Sequence, residues 1–200
     1  MSKRIALFGH HQPSEQQYRL AEQIGFVLAS AGFDLMNGGH EGVMAASARG
    51  ARRGGGWVLG VTCRAVRDGR LATVNTHVTH LIDAPDLLTR MEIMMRRASG
   101  YVVMDGATGT LAEWAVVWEH MRKKLVTPRP IVCAGTYWKP IADRIISTDP
   151  QAADHVHFAE TADQVAAIMR ERAIDPPPGD RDFLPPATTV VATAQAEEQK

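Results

Sequence analysis

The sequence predicts a Rossmann-like α/β fold, a doubly wound parallel sheet with helices on both faces, and three observations carry that expectation. Short apolar runs alternate with amphipathic stretches along most of the chain, the rhythm of consecutive βαβ units. The run Tyr101-Val102-Val103-Met104 has no polar alternation, as in a strand covered on both faces. Glycine-bearing loops follow several apolar runs, and ligands of open α/β sheets lie beyond the carboxyl ends of the strands.

Residues 5–8, closed by Gly9, read as the first strand. Ser14-Glu15-Gln16-Gln17 has capping-box spacing and opens a helix whose stripe is Leu20, Ile24, Val27, Leu28 and Ala31, ended by Gly32. Residues 33–36 form the next strand, completing a βαβ unit near Asn37. A small-residue helix follows over 42–53, then strands over 57–62 and 79–82. Residues 86–99 make a methionine-rich helix with Leu87, Met91, Met94, Met95 and Ala98 on its apolar side. Beyond the strand 101–104 and the loop 105–109, a helix runs from Thr110 to about Lys123, its buried stripe being Leu111, Trp114, Trp118 and Met121. A strand over 131–134, a helix over 139–147, a short strand over 155–158 and a helix after Thr161 to about Arg172 complete the pattern.

The expected organisation is one domain over residues 1–174 and a proline-rich tail over 175–200. Pro176-Pro177-Pro178-Gly179 and Pro185-Pro186 leave the tail little with which to build a core. It is expected to be a flexible appendage, with Phe183-Leu184 able to dock locally. With 45% hydrophobic and 22% charged residues in 200, wholesale disorder, collagen and a disulfide miniprotein are excluded. Lys+Arg 22 balance Asp+Glu 22, so no overall positive field draws nucleic acid. Cys63 and Cys133 are too few for a disulfide or zinc framework and are read as structural. No apolar run approaches the length of a signal or a membrane span. The expectation is a cytoplasmic protein with no membrane partner.

The chemistry is expected in three loops: Gly9-His10-His11-Gln12-Pro13, Asn37-Gly38-Gly39-His40-Glu41-Gly42 and Asp105-Gly106-Ala107-Thr108-Gly109-Thr110. Two run into helices, whose N-termini expose N–H groups and partial positive charge suited to phosphate. None is a GxGxxG or Walker A motif. Thr110-x-x-Glu113 has capping-box spacing, so Glu113 reads either as a helix cap or as a functional carboxylate. Arg90 alone reads as a solvated or interface residue. His10, His11 and His40 read as ordinary polar loop residues, and no metal site and no cofactor are expected.

Asn37-Gly38-Gly39 followed by Gly42-Val43-Met44, then Arg90, then Gly106 and Gly109-Thr110-Leu111-Ala112-Glu113, resemble the LOG (Lonely Guy) family, whose pattern is GGG-x-x-G-L-M, an arginine helix, and PGG-x-GT-x-x-E. The similarity runs from Ile5 to about Met169. It implies a Rossmann-like homodimer that hydrolyses the N-glycosidic bond of a nucleoside 5′-monophosphate, AMP-like or of cytokinin type, to free base and ribose 5-phosphate. Carried over, Arg90 and Glu113 are the catalytic pair. Gly38, Gly39, Gly42, Gly106, Thr108, Gly109 and Thr110 are the phosphate-binding positions.

The chain departs from the pattern at several places. Asp105-Gly106-Ala107 stands in place of PGG, Asn37 replaces the first glycine of the other loop, and His10-His11 replace a small Gly-Ser segment. Thr89 and Met91 flank Arg90 where the family has Glu and Lys. These changes keep a rival open: a non-catalytic nucleotide-binding or sensing module on the same fold. The lysine decarboxylase label sometimes given to the family finds no lysine here in a pyridoxal-phosphate context. Met91, Met94 and Met95 are expected to contribute to core or dimer packing.

Overall fold

The computed structural model describes residues 2–66 and 73–192. Strands β1 (Arg4–Phe8), β2 (Asp34–Asn37), β3 (Val58–Cys63), β4 (His80–Ala84), β5 (Gly100–Val103), β6 (Ile131–Ala134), β7 (Val156–Ala159) and β8 (Thr189–Ala192) form one sheet in the order β7-β6-β5-β1-β2-β3-β4-β8. All neighbours pair in parallel except β8, which runs antiparallel along β4. Chain order reverses at β1, which pairs with β5 on one side and β2 on the other. That switch point opens the crevice where a doubly wound sheet holds its ligand.

Helices α1 (Glu15–Ser30) and α2 (Val43–Arg53) follow β1 and β2, the short turn α3 (Arg64–Val66) follows β3, and α4 (Leu87–Arg97) follows β4. Then come α5 (Thr108–Arg122), α6 (Lys139–Thr148), α7 (Ala162–Arg172) and the short α8 (Pro178–Arg181). Two apolar layers enclose the sheet. One packs Ile24 and Leu28 of α1, Val43 and Ala46 of α2, and Val165 and Met169 of α7 against residues such as Ile5, Leu7 and Val102. The other packs Ile93, Met94 and Met95 of α4 and Trp114, Trp118 and Met121 of α5 against Ala6, Tyr101 and Val103. Because successive strand residues face opposite layers, the runs must be apolar throughout, which explains the missing alternation. No helix among the described residues is long and apolar enough to cross a membrane.

Of the two roles expected for them, Met91, Met94 and Met95 take the core one, buried within the chain itself, while the exposed apolar residues of α4 are Leu87 and Leu88. Two expectations change. Leu111 is 37% exposed and does not join the stripe of Trp114, Trp118 and Met121. The tail does not behave as a free appendage over its described part. It supplies α8 and the edge strand β8, and Phe183 packs on the second layer with its ring under the Arg96 guanidinium at 4.8 Å. Residues 193–200 lie outside the described residues.

The tail is held by charge rather than by a core of its own, which is why its composition hides it. The Arg129 side chain is fully buried. Its guanidinium donates to the carbonyls of Met95, Arg96 and Ala98 at the end of α4, each at 2.8–2.9 Å. Those carbonyls have no intrahelical partners and carry partial negative charge. Asp180 of α8 supplies the counter-charge, with Oδ2 3.1 Å from the Arg129 Nη2 and Oδ1 2.9 Å from the Arg96 Nη1. Removing one partner of a buried pair leaves the other charge uncompensated. Asp180→Ala should therefore lower unfolding stability by about 3 kcal/mol, the scale of a broken buried pair. Urea denaturation at neutral pH checks this, and a loss well under about 1 kcal/mol, the scale of a surface ion pair, would show that the tail contributes nothing to Arg129.

Candidate active site

The three loops meet at the carboxyl ends of β1, β2 and β5. The His10 N–H donates to the Asp105 carbonyl at 3.3 Å, and the Val43 N–H donates to the His10 carbonyl at 3.1 Å. Asn37 is fully buried and organises the second loop: its Nδ2 donates to the Met44 carbonyl at 2.9 Å and to Ser47 Oγ at 3.2 Å, while its Oδ1 accepts from the Gly39 N–H at 2.9 Å. A glycine could make none of these bonds, so the departure at position 37 builds the loop. Gly42 turns the chain into α2 with φ of 72°, and a β-carbon there would stand 2.3 Å from the His11 carbonyl oxygen and 2.7 Å from that of His10. A side chain there would be both strained and blocked.

Arg90 enters from α4. Its Nε donates to the Val61 carbonyl at 2.8 Å, and its Nη2 lies 3.6 Å from Glu113 Oε1 on α5. Both side chains are only 11% exposed. Gly38 makes this approach possible, because a β-carbon there would stand 2.0 Å from Arg90 Nη2. Burial pushes the Glu113 carboxyl above the ordinary carboxylate range, and the nearby Arg90 charge opposes that rise. His40, also buried, is pushed down by burial and then by the Arg90 charge, which keeps it neutral at physiological pH.

The capping reading of Glu113 fails on where α5 starts. The helix opens at Thr108 with Ala107 as its cap residue and no side-chain cap bond. Glu113 thus lies in the second turn, too far along to close the helix end, and faces Arg90. The α2 N-terminus likewise lacks a side-chain cap, and neither first turn holds an acidic residue. By contrast Ser14, Asp86 and Thr161 cap α1, α4 and α7. The first turns of α2 and α5 lie beside the pair without acidic side-chain caps, and although the Val43 N–H is taken by the His10 carbonyl, an uncapped helix start suits an anion.

Besides Arg90 and Glu113, the expected residues fall into two groups. Gly38, Gly39 and Gly42 line the entrance to α2, while Gly106, Thr108, Gly109 and Thr110 form the entrance to α5. Thr110 is buried and fills the space that any side chain at Gly106 would need, whereas Gly109 has no packing neighbour that demands a glycine. Two contributors escape sequence reasoning. Gln17, read as a capping residue, does complete the cap of α1, and its Nε2 also donates to Asp105 Oδ2 at 2.8 Å. That donor satisfies one oxygen of the extra carboxylate of the third loop without removing its charge. His40 reads as a polar loop residue, and only its place between two loop glycines hinted at burial.

The profile of the SLOG cluster4 family matches residues 2–166. An uncharacterized protein of Archaeoglobus fulgidus is 27% identical over 157 residues, covering 76% of this chain and 92% of its own. A protein of Mycobacterium tuberculosis named cytokinin riboside 5′-monophosphate phosphoribohydrolase is 34% identical over 116 residues, 57% of this chain and 61% of its own. Among solved structures, the molybdenum cofactor carrier protein of Chlamydomonas reinhardtii superposes with a TM-score of 0.69 at 23% identity, over 86% of this chain and 98% of its own. At that identity the likeness concerns the fold.

Since the Arg90 charge lowers the proton affinity of both Glu113 and His40, Arg90→Gln should raise both titration midpoints. Carboxyl and imidazole NMR titrations would follow each group. Midpoints that stay fixed or fall would separate Arg90 electrically from the two side chains.

Proposed function

The chain belongs to the SLOG cluster4 family, and from that premise we propose that it hydrolyses the N-glycosidic bond of a nucleoside 5′-monophosphate, AMP-like or of cytokinin type, releasing free base and ribose 5-phosphate. The observation that carries this reading is the buried carboxylate of Glu113 set 3.6 Å from Arg90 between two helix N-termini without side-chain caps. Mycobacterial relatives named for this activity support it over part of the chain.

Each part has a task. The N–H groups at the starts of α2 and α5 hold the 5′-phosphate. As the C1′–N bond breaks, the bonding pair leaves with the base and positive charge develops on the ribosyl ring. The Glu113 carboxylate stabilises that charge and takes a proton from the water whose oxygen bonds to C1′; the departing base gains a proton in exchange. A carboxyl with raised proton affinity is a better base than an ordinary one. Arg90 keeps enough of it ionised and fixes its direction. Where the protein dimerises, the exposed Leu87 and Leu88 beside Arg90 are the apolar residues of α4 that a second copy would cover.

A second reading is a nucleotide-binding module without turnover, and Asp105 favours it, since a carboxylate near the start of α5 weakens an anion site. One substitution separates the two. Glu113→Gln keeps the shape and loses the charge, so incubation with a panel of nucleoside monophosphates, resolved by chromatography, should show turnover reduced at least about a hundredfold with binding retained. Wild-type kcat should rise with pH along a limb above the ordinary carboxylate range, because Glu113 must shed its proton. Undiminished hydrolysis by Glu113→Gln removes Glu113 from the mechanism. Binding without hydrolysis by the wild-type protein favours the module.

A further inference from the structure

At the opposite, amino-terminal end of the sheet, a cavity of about 220 Å³ is lined by Arg4, Asp34, Trp57, Leu59, His80, Ile82, Arg97 and Val190. Two guanidinium groups meet there, from β1 and from the end of α4. Among the described residues neither has a carboxylate within ion-pair distance: Arg4 makes no side-chain hydrogen bond, and Arg97 makes one long bond of 3.4 Å to the Phe183 carbonyl. The Arg97 Nε is buried without a partner. Burial and then the Arg4 charge push the Arg97 guanidinium below its ordinary proton affinity, against the opposing pull of Asp182, and Arg4 is lowered by burial against Asp34 and Asp182. Elsewhere in the molecule other arginines find carboxylates: Arg49 and Arg53 share Glu22, and Arg96 and Arg129 share Asp180. The larger groove of about 510 Å³ beside α1 shows the contrast, since its Arg19 and Arg53 are already paired with Glu15 and Glu22.

The geometry points to a second anion site here, for a phosphate group, free or as a phosphomonoester, held by Arg4 and Arg97. Two guanidiniums offer planar sets of donors matched to phosphate oxygens. The one carboxylate in the wall is already occupied, because Asp34 Oδ1 accepts from the Trp57 N–H at 3.1 Å and Oδ2 accepts from the Ser2 hydroxyl. The Trp57 and His80 rings, tilted at 33° with centroids 4.6 Å apart, form the flank, and burial with the Arg4 charge keeps His80 from adding a proton of its own. The volume suits a phosphate and a small ester better than a whole nucleotide, whose pockets usually exceed about 300 Å³.

Trp57 is 43% exposed, whereas Trp114, Trp118 and Trp138 are buried, so its fluorescence reports on this cavity. Inorganic phosphate and ribose 5-phosphate would be titrated into the full-length protein and followed by calorimetry and fluorescence. Binding that perturbs Trp57 should persist in Arg90→Gln, which disables the proposed catalytic site, and weaken at least tenfold in Arg97→Gln. Asp34→Asn keeps an acceptor for the Trp57 N–H and removes the opposing charge, so it should tighten binding severalfold, a gain that misfolding cannot imitate. Tighter binding of the ester than of phosphate identifies the ester as the ligand form, and equal binding identifies phosphate. The proposal is overturned if phosphate leaves Trp57 unperturbed, if Arg90→Gln abolishes all binding, or if Asp34→Asn and Arg97→Gln both leave the affinity unchanged.

Discussion

A guanidinium taken out of water must find acceptors for its donors and a charge to face, and two of them decide where α4 lies. Arg90 in its first turns is fixed by the Val61 carbonyl and Glu113. At its other end the last carbonyls are gathered by Arg129, which comes from the loop before β6. A helix pinned at both ends by buried charge has little freedom to slide. The residue it must deliver, Arg90, is delivered to one place. Asp180 completes this chain of dependence from the far end of the sequence, so a proline-rich segment far from the crevice helps to set the distance between Arg90 and Glu113.

The strands and helices were legible because their signals are local. Apolar runs such as Ile131–Ala134 and capping residues such as Ser14 and Thr161 mark their own ends, and α7 begins where Thr161 says it should. The start of α5 was not legible. Thr110 and Glu113 mimic a capping box, yet Thr110 is buried beneath Gly106 and the helix begins two residues earlier. The contact that wins is tertiary, and spacing alone cannot register it. The tail escaped for a related reason: Asp180 and Arg129 are 51 positions apart, and neither residue signals a partner by its neighbours. Within the site, the resemblance named Arg90 and Glu113, whereas the roles of Asn37 and Gln17 emerge only from the bonds they make.

Those two residues show how the loops accommodate an altered sequence. Asn37 supplies through one amide what a third glycine would leave to the backbone, tying the loop to the first turns of α2. Gln17 caps its own helix with Oε1 and reaches Asp105 with Nε2, so one side chain closes α1 and holds the added carboxylate in place. The added carboxylate is thus hydrogen-bonded while it keeps its charge. The ends of α2 and α5 that face the crevice stay free of acidic caps.

The buried Asn37-Gly38 step has a chemical consequence. An asparagine followed by glycine is the pair most prone to lose its amide, because the unhindered glycine nitrogen can attack the side-chain carbonyl and close a succinimide ring. Here the Asn37 carbonyl oxygen is held by the Gly39 N–H and its amino group by Met44 and Ser47, while Gly38 is packed under Arg90. Ring closure has to wait until the loop opens and releases those bonds. The chemical ageing of this protein at Asn37 is therefore a slow clock whose rate measures how often the crevice comes apart.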